Sequence, residues 1–299
     1  MSAGTVSVVI VNHNTRQDLE RCIRSMLADG TTDIIVADAA SSDGSVASVQ
    51  REFPQVRLNA LTVNRGFGAA ANAAIAAVRN PYVLLLNSDT LVARGTISAL
   101  GRYLDEHPEA AIVGPLLREG DGRLQPSCYP FPGTLRWLLD NDVTAVLARR
   151  IGLLRPLSLR AWTHARPRAV PWIKGAAMAI RRSDFVAANG FDEGYFLYCE
   201  EMDLCARLWS RGRETHFAPV AEVVHLREQS TSQYGARMML QLCESMERYF
   251  RSHFGPMRAG LLCAAYRALC GFRLVTQRFI LHQPAGTFAG HQPEPTPHA

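Results

Sequence analysis

Three carboxylates crowd the stretch Glu200-Glu201-Met202-Asp203-Leu204-Cys205-Ala206-Arg207-Leu208. In the first turn of a helix they suit the macrodipole, which accounts for acids there without any catalytic role. Spacing separates them: Glu201 shares the apolar, inward stripe with Leu204, Cys205 and Leu208, whereas Asp203 reaches Arg207 at i+4 and Glu200 lies with it on the neighbouring face. An inward carboxylate at the mouth of a site is a candidate general base. Asn87-Ser88-Asp89 reads either as a simple turn or as a strand exit whose hard carboxylate oxygen binds a divalent cation, and such a cation holds a departing diphosphate. His225 ends a second apolar run; it is either a packed, hydrogen-bonded ring or an imidazole ligand for a borderline ion such as manganese beside a carboxylate.

Two further segments carry alternatives. Asp38 closes the run Asp33-Ile34-Ile35-Val36-Ala37 and precedes Ser41-Ser42-Asp43-Gly44-Ser45, a strand end followed by a helix with Ser42 or Asp43 as N-cap. The same carboxylate could instead accept the imide N–H of a uracil or thymine. In Asn64-Arg65-Gly66-Phe67-Gly68-Ala69-Ala70-Ala71-Asn72, the residues Gly66, Gly68 and Ala71 fit the dinucleotide fingerprint G-x-G-x-x-A, with Asp89 about 20 residues on. A nicotinamide-dependent oxidoreductase therefore competes, although that fingerprint belongs to the first βαβ unit of its domain and two strands precede it here.

Short β-branched runs alternating with longer helical patterns position these residues, which predicts βαβ units around a mainly parallel sheet. Strands are expected at 6–11, 33–38, 56–61, 81–87 and 110–116, with helices at 16–28, 43–52, 67–78 and 94–106. Runs 33–38 and 81–87 stay apolar until a polar residue at the carboxyl end, as buried parallel strands do, and ligands of open α/β sheets bind at those ends. From 117 to 170 the pattern breaks into Pro-, Gly- and Arg-containing connections around one helical stretch near 134–150, read as an acceptor-side insertion. Regular structure resumes with a strand Ile173–Ile180, a short helix from Ser183, a helix near 200–211 and a strand Ala221–Leu226. Residues 232–281 read as helical and basic, and the Gly- and Pro-containing end as a disordered tail.

Composition sets the outer limits. The chain has 299 residues, 47% hydrophobic and 20% charged, which excludes disorder and collagen-like repeats and suffices for one large core or a core with a small subdomain. A net charge of +5 tolerates anionic, phosphate-bearing partners without pointing to nucleic acid. Seven cysteines with no C-x-x-C pair indicate neither a disulfide framework nor a zinc site, and a reducing cytosol is the simpler setting. The first apolar run is too short and wrongly flanked for a signal peptide, and no run reaches the roughly 18 apolar residues of a spanning helix. In 246–281, arginines alternate with aromatic and aliphatic residues, the pattern of a basic amphipathic helix that either lies on an anionic membrane or packs on the domain with snorkelling arginines.

In their order along the chain, these segments resemble the family 2 glycosyltransferases of the GT-A type, especially their rhamnosyltransferase-like branch. The match runs through Ser7-Val8-Val9-Ile10-Val11-Asn12-His13-Asn14, Ile35-Val36-Ala37-Asp38, Asn64-Arg65-Gly66-Phe67 and Leu84-Leu85-Leu86-Asn87-Ser88-Asp89. It continues through Gly175-Ala176-Ala177-Met178, Gly190-Phe191-Asp192-Glu193, Phe196 to Cys205 and Val223-Val224-His225. The resemblance implies an inverting transfer with donor contacts at Asn12, Asn14, Asp38, Asn64, Arg65, Gly66, Asn87 and Asp89. It places a divalent metal, Mn2+ or Mg2+, on Asp89 and His225, an acceptor face at Gly175 and Ala176, and a base among Glu201, Glu200 and Asp203. Two positions depart from the pattern: Ala39 where the family often has Asn or Asp, and Glu201 where it usually has Asp. The organisation expected is a transferase domain over 1–230, its donor half about 1–116 and its acceptor half about 117–230, a basic helical extension over 231–281 and a tail over 282–299. The expected donor is dTDP-rhamnose or a UDP-sugar, and the expected acceptor a saccharide or lipid-linked glycan in cell-surface synthesis. The expected setting is cytoplasmic, and where 246–281 lies on a membrane the contact expected is peripheral, at its inner face. A sugar-nucleotide-binding pseudoenzyme and a nucleotidyltransferase are the other rivals, the latter weakened because Asn12-His13-Asn14-Thr15 is no phosphate loop.

Overall fold

The computed structural model of the chain describes residues 6–134, Trp137, Trp162, 164–226 and 235–281. Most of the stretch expected to be helical near 134–150, and the expected tail 282–299, lie outside the described residues.

The first half alternates as its apolar runs dictate: β1 (Val6–Asn12), α1 (Arg16–Ala28), β2 (Ile34–Asp38), α2 (Ser45–Glu52), β3 (Arg57–Ala60), α3 (Phe67–Ile75), β4 (Tyr82–Asn87), β5 (Thr90–Val92), α4 (Thr96–Glu106) and β6 (Ala110–Arg118). Short strands follow, β7 (Leu124–Gln125), β8 (Cys128–Tyr129), β9 (Arg168–Ala169) and β10 (Trp172–Ile173). The chain then forms β11 (Ala177–Arg181), α5 (Arg182–Ala187), α6 (Glu200–Trp209), β12 (Glu214–His225), α7 (Gly235–His253) and α8 (Pro256–Leu281). The main sheet runs β3-β2-β1-β4-β11-β6-β12-β5, with β7 beside β6 and β9 beside β12. Strands β3, β2, β1 and β4 pair in parallel, as do β6 and β12, while β11 lies antiparallel between β4 and β6.

Alternation along the central strand sorts the core into two layers. Val8 and Ile10 of β1 face Leu19, Ile23 and Met26 of α1 and Ile97, Leu100 and Leu104 of α4, whereas Val9 and Val11 face Ala70, Ala71 and Ala74 of α3 and Leu204, Cys205 and Leu208 of α6. The expected mainly parallel sheet flanked by helices is what forms.

Several boundaries differ, each for a local reason. The strand expected at 173–180 is two strands in two sheets: the Lys174 N–H still follows the β8 side, donating to the Ser127 carbonyl at 2.8 Å, and a turn at Gly175-Ala176 then carries the chain into β11. The strand expected at 221–226 begins at Glu214, its pairing with β6 interrupted between Phe217 and Glu222, where Pro219 has no N–H to give. The helical region 232–281 is two helices, α8 opening on Pro256, a residue pre-set for a first helical position. Among the described residues no helix is long and apolar enough to cross a membrane.

Candidate active site

Parallel register alone brings the donor-side residues together. It pairs Asn12 with Asp38 and Val11 with Asn87, so the carboxyl ends of β1, β2 and β4 form one rim. The buried Asn12 amide donates to Asp38 Oδ2 at 2.7 Å and to Ser41 Oγ at 3.1 Å, and its Oδ1 accepts the Thr15 hydroxyl at 2.7 Å. Asp38 Oδ1 accepts the Ser41 N–H at 2.8 Å. The protein thus uses one lone-pair position on each Asp38 oxygen, leaving further acceptor capacity for a base N–H. Asn14, at φ +54°, accepts the Ser42 N–H at 2.7 Å, so it braces the loop after β2 as well as bordering the rim. Thr15 and Ser88, which the sequence did not single out, share a 2.7 Å hydrogen bond that ties the α1 entrance to the β4 exit.

The capping expected from Ser42 or Asp43 is displaced by one residue. Gly44, in the left-handed region at φ +85°, occupies the N-cap of α2, while Asp43 accepts the Ser45 N–H at 3.0 Å and, through its other oxygen, the Arg16 N–H of α1 at 2.8 Å. Burial opposes ionisation of Asp43, but the Ser45 hydroxyl and these N–H donors outweigh it and hold its carboxyl below the usual range.

The glycines of the 64–72 segment make room for protein. Gly66 sits at φ +97°, and a Cβ there would lie 2.2 Å from the Phe196 carbonyl oxygen, while one on Gly68 would lie 3.0 Å from Phe191 Cβ. Asn64 Oδ1 accepts the Gly66 N–H at 2.9 Å, and the Phe67 N–H donates to the Phe196 carbonyl at 3.0 Å. Arg65 reaches Glu193 at 2.6 Å on the surface. These contacts press the 64–67 turn against the loop 190–199, an arrangement that explains the G-x-G-x-x-A spacing without a dinucleotide.

His225 arrives at Asp89 through strand pairing: β12 runs antiparallel to β5 with His225 opposite Thr90, and the Leu226 N–H donates to the Asp89 carbonyl at 2.9 Å. His225 Nε2 is 3.3 Å from Asp89 Oδ1, and its Nδ1 is 2.8 Å from Gln125 Oε1. An amide oxygen needs a donor, so Nδ1 donates to Gln125, which fixes the ring with Nε2 facing the Asp89 carboxylate. A carboxylate oxygen and an imidazole nitrogen at that separation are close enough to serve as neighbouring ligands of one cation. Among the described residues no group of three His, Cys, Asp or Glu side chains converges on such a point. One carboxylate and one imidazole would suit a borderline ion such as manganese, whose remaining positions phosphate and water would fill. Gln125 lay in the irregular 117–170 stretch, where nothing in the sequence marked it.

The acceptor side joins this rim through β11. Ala177 pairs with Leu86, and the Asn87 N–H donates to the Ala176 carbonyl at 3.0 Å, placing Gly175 and Ala176 beside the β4 exit. The Gly175 N–H in turn approaches Glu201 Oε1 at 3.4 Å. A Cβ on Gly175 would meet that carboxylate at ordinary contact distance, 3.6 Å from Glu201 Oε1.

The three carboxylates of α6 have separate surroundings. Glu201, expected on the most inward face, keeps an exposed edge, while Glu200 and Asp203 are the deeply buried pair. The helical stripe could not foresee this, because α7 covers the second face of α6. Asp203 accepts from Arg207 Nε at 2.7 Å and contacts His253 Nε2 at 2.8 Å. Burial would raise its proton affinity, but His253 and Arg207 overcome that and hold the carboxyl below its ordinary range. Glu200 has no such cation, and its Oε2 has no hydrogen-bond partner; burial and then the neighbouring Glu201 push its pKa well up. Burial also raises that of Glu201, partly offset by backbone N–H groups, including that of Gly175, and by Lys174. Glu201 therefore combines access, raised proton affinity and closeness to Gly175, whereas Asp203 is committed to ion pairs.

Immediately before α6, Tyr198 and Cys199 both lie in the left-handed region, at φ +71° and +69°. Consecutive non-glycine residues there persist only when their surroundings impose them. The surroundings are α7: Ser245 Oγ donates to the Leu197 carbonyl at 2.7 Å, and Arg248 grips Asp192 with two hydrogen bonds of 2.8 and 2.9 Å. Below them Tyr195, Cys199 and Met202 pack with Met246, Tyr249 and Phe250.

An open sheet of this order, with polar groups gathered at its strand exits, is the GT-A architecture of nucleotide-sugar transferases. The chain superimposes on the mannosyltransferase PcManGT from Pyrobaculum calidifontis, solved with GDP-Man and Mn2+, with a TM-score of 0.58 at 18% identity over 94% of this chain and 81% of that one. For Staphylococcus aureus TarS residues 1–349 with UDP-GlcNAc the TM-score is 0.57 at 14% identity, over 94% and 76%. The family model described as glycosyl transferase family 2 matches residues 7–155. The N-acetylglucosaminyl-diphospho-decaprenol L-rhamnosyltransferase of Mycobacterium tuberculosis is 32% identical over 245 residues, 75% of this chain and 76% of that protein. Rhamnosyltransferase WbbL of Escherichia coli K12 is 26% identical over 252 residues, 82% and 92%. The chain belongs to glycosyl transferase family 2 and is a glycosyltransferase; the oxidoreductase alternative is not favoured.

Proposed function

We propose that the chain transfers rhamnose, or else a hexose, with inversion from a dTDP- or UDP-sugar to a saccharide on a lipid carrier in cell-surface glycan synthesis. The observation that carries this is the single rim at the carboxyl ends of β1, β2 and β4, where Asn12, Asp38, Asn87 and Asp89 meet His225 from one side and Gly175 with Glu201 from the other. Similarity to relatives named for rhamnosyl transfer, one of them to a diphospho-decaprenol acceptor, supports the donor and acceptor classes.

In this reading Asp38 accepts the imide N–H of the base, with Asn12, Asn14, Asn64, Arg65 and Gly66 shaping the donor pocket. Asp89 and His225 hold a divalent ion, which when bound supplies positive charge to the departing diphosphate. Gly175 and Ala176 line the acceptor side. Glu201 takes the proton of the acceptor hydroxyl while that oxygen attacks the anomeric carbon from the face opposite the leaving group. Residues 1–116 serve as the donor half and 117–230 as the acceptor half, and the helices after 231 bring the chain to the membrane surface where lipid-linked acceptors reside.

Calorimetry of dTDP and UDP with manganese tests the donor end. Asp89→Asn should abolish metal-dependent affinity while the melting temperature stays near that of the native chain, because Asp89 lies beyond the apolar run of β4. Undiminished metal-dependent affinity in the variant would remove Asp89 from the site.

A further inference from the structure

The arginines of 246–281 are mostly committed to the protein. Arg248 is paired with Asp192, Arg251 and Arg267 with Glu247, and Arg258 lies over the Phe254 ring and donates to the Gly133 carbonyl at 2.6 Å. What α8 leaves uncovered is apolar. Met257 is 83% exposed, Leu261 69% and Leu269 40%, and Ala264, Ala265 and Ala268 are exposed on the same side, while Ala259, Cys263 and Cys270 face inward. Positions 257, 261, 264, 265 and 268 follow the i, i+4, i+7, i+8, i+11 repeat of one helical face. A soluble helix normally places charge there.

We infer that this outer face of α8 inserts into the headgroup boundary of a lipid bilayer, holding the chain on the membrane by burial of Met257, Leu261 and Leu269. This deepens the proposed function and rests on its lipid-linked acceptor. Two features select a membrane over another occupant. First, residues 256–281 contain no Asp or Glu and carry Arg258, Arg267, Arg273 and Arg278, so every formal charge on the helix is of the sign that an anionic leaflet attracts. Second, the α8 entrance borders the acceptor side. A Cβ on Gly133 would touch Phe254 and Leu262, and Trp172, next to the Lys174-Gly175 turn, packs in the cluster that holds Ala259 and Cys263. A lipid carrier lying along α8 would present its sugar near Gly175. Because Arg248 and Arg267 are already paired, attachment depends on apolar burial with charge as an aid, the reverse of a purely polybasic segment.

Flotation of the full chain with vesicles of phosphatidylcholine alone, and of phosphatidylcholine with phosphatidylglycerol, tests this. The native chain should float with the anionic vesicles and remain partly bound when salt is raised. Met257→Glu/Leu261→Glu, and independently Ala264→Glu/Ala268→Glu, should weaken partition at least about tenfold, since each pair puts two charges where apolar groups would be buried. Both variants should melt near the native temperature and release nucleoside diphosphate from dTDP-rhamnose or UDP-hexoses in water at the native rate. Absence of flotation by the native chain, flotation lost entirely in raised salt, or flotation unchanged in both variants would each overturn the inference. So would a concentration-dependent dimer, without vesicles, that the variants dissociate, which would give the face to a second copy. Failure of the native chain to release nucleotide from any sugar donor would instead strike the proposed function, independently of flotation.

Discussion

At the scale of single residues the decisive contrast lies within one helical turn. Glu201→Gln keeps shape and removes the ability to take a proton, so turnover should fall about a hundredfold while nucleotide affinity stays near native. Initial rates at saturating donor check this, with Glu200→Gln as the comparison. Native rates in Glu201→Gln together with a dead Glu200→Gln would move the base by one residue. The raised proton affinity of Glu201 fixes the sign of the pH response. An acid must lose its proton to act as base, so kcat should climb with rising pH on a limb centred above the ordinary glutamate range. Asp203 behaves oppositely. Its folded-state proton affinity is lowered, so its stabilising contribution is present above the unfolded carboxylate range and is lost as pH falls through the folded value.

At the scale of elements, the loop 190–199 is caught between the 64–67 turn and α7. Removing a single pin from the α7 side, in Ser245→Ala or Arg248→Gln, should let Tyr198 and Cys199 relax and shift the first turn of α6. We expect kcat to drop about ten- to hundredfold, the scale of a small misplacement of a reacting group, with a smaller rise in the Michaelis constant for donor, because the β1, β2 and β4 rim is untouched and only the 64–67 turn borders the loop. A donor-side loss instead would assign α7 to donor binding. The sequence showed the larger elements well: the ends of β1, β2 and β4 fall within one residue of expectation, because continuous apolar runs stop at Asn12, Asp38 and Asn87. It did not show β5 or β7 to β10, two- and three-residue strands defined by their partners, β7 folding back on β6 and Thr90 of β5 standing opposite the distant His225. The candidate site divides the same way. Asp38, Asp89 and Glu201 stood at legible strand and helix ends, whereas Gln125, Thr15 and the α7 clamp on Asp203 depend on contacts across many intervening residues.

At the scale of the whole molecule, α7 packs on the loop and helix that carry the three carboxylates, and we propose that it folds with them as one unit. Tyr195 and Met202 lie on one side of the third apolar cluster, and Met246, Tyr249 and Phe250 on the other, so a chain ending at residue 230 would bare that surface and leave Asp203 buried without His253. Such a chain should aggregate or lose its sharp thermal transition, whereas one ending at residue 281 should melt as the native protein does. A cooperative melt at the native midpoint for the shorter chain would instead support the boundary expected from the sequence. All seven cysteines are buried and free of disulfides, and burial pushes the Cys22, Cys128 and Cys205 thiols up to about 12. Alkylating reagents must reach the sulfur, and burial of all seven denies them access, so each modified sulfur marks an opening event. Cys22, Cys128 and Cys205 sit in the sheet layers, and Cys243, Cys263 and Cys270 in the helical pair. The native chain therefore carries two built-in clocks, and peptide-resolved labelling would time the release of the helical pair separately from the melting of the sheet.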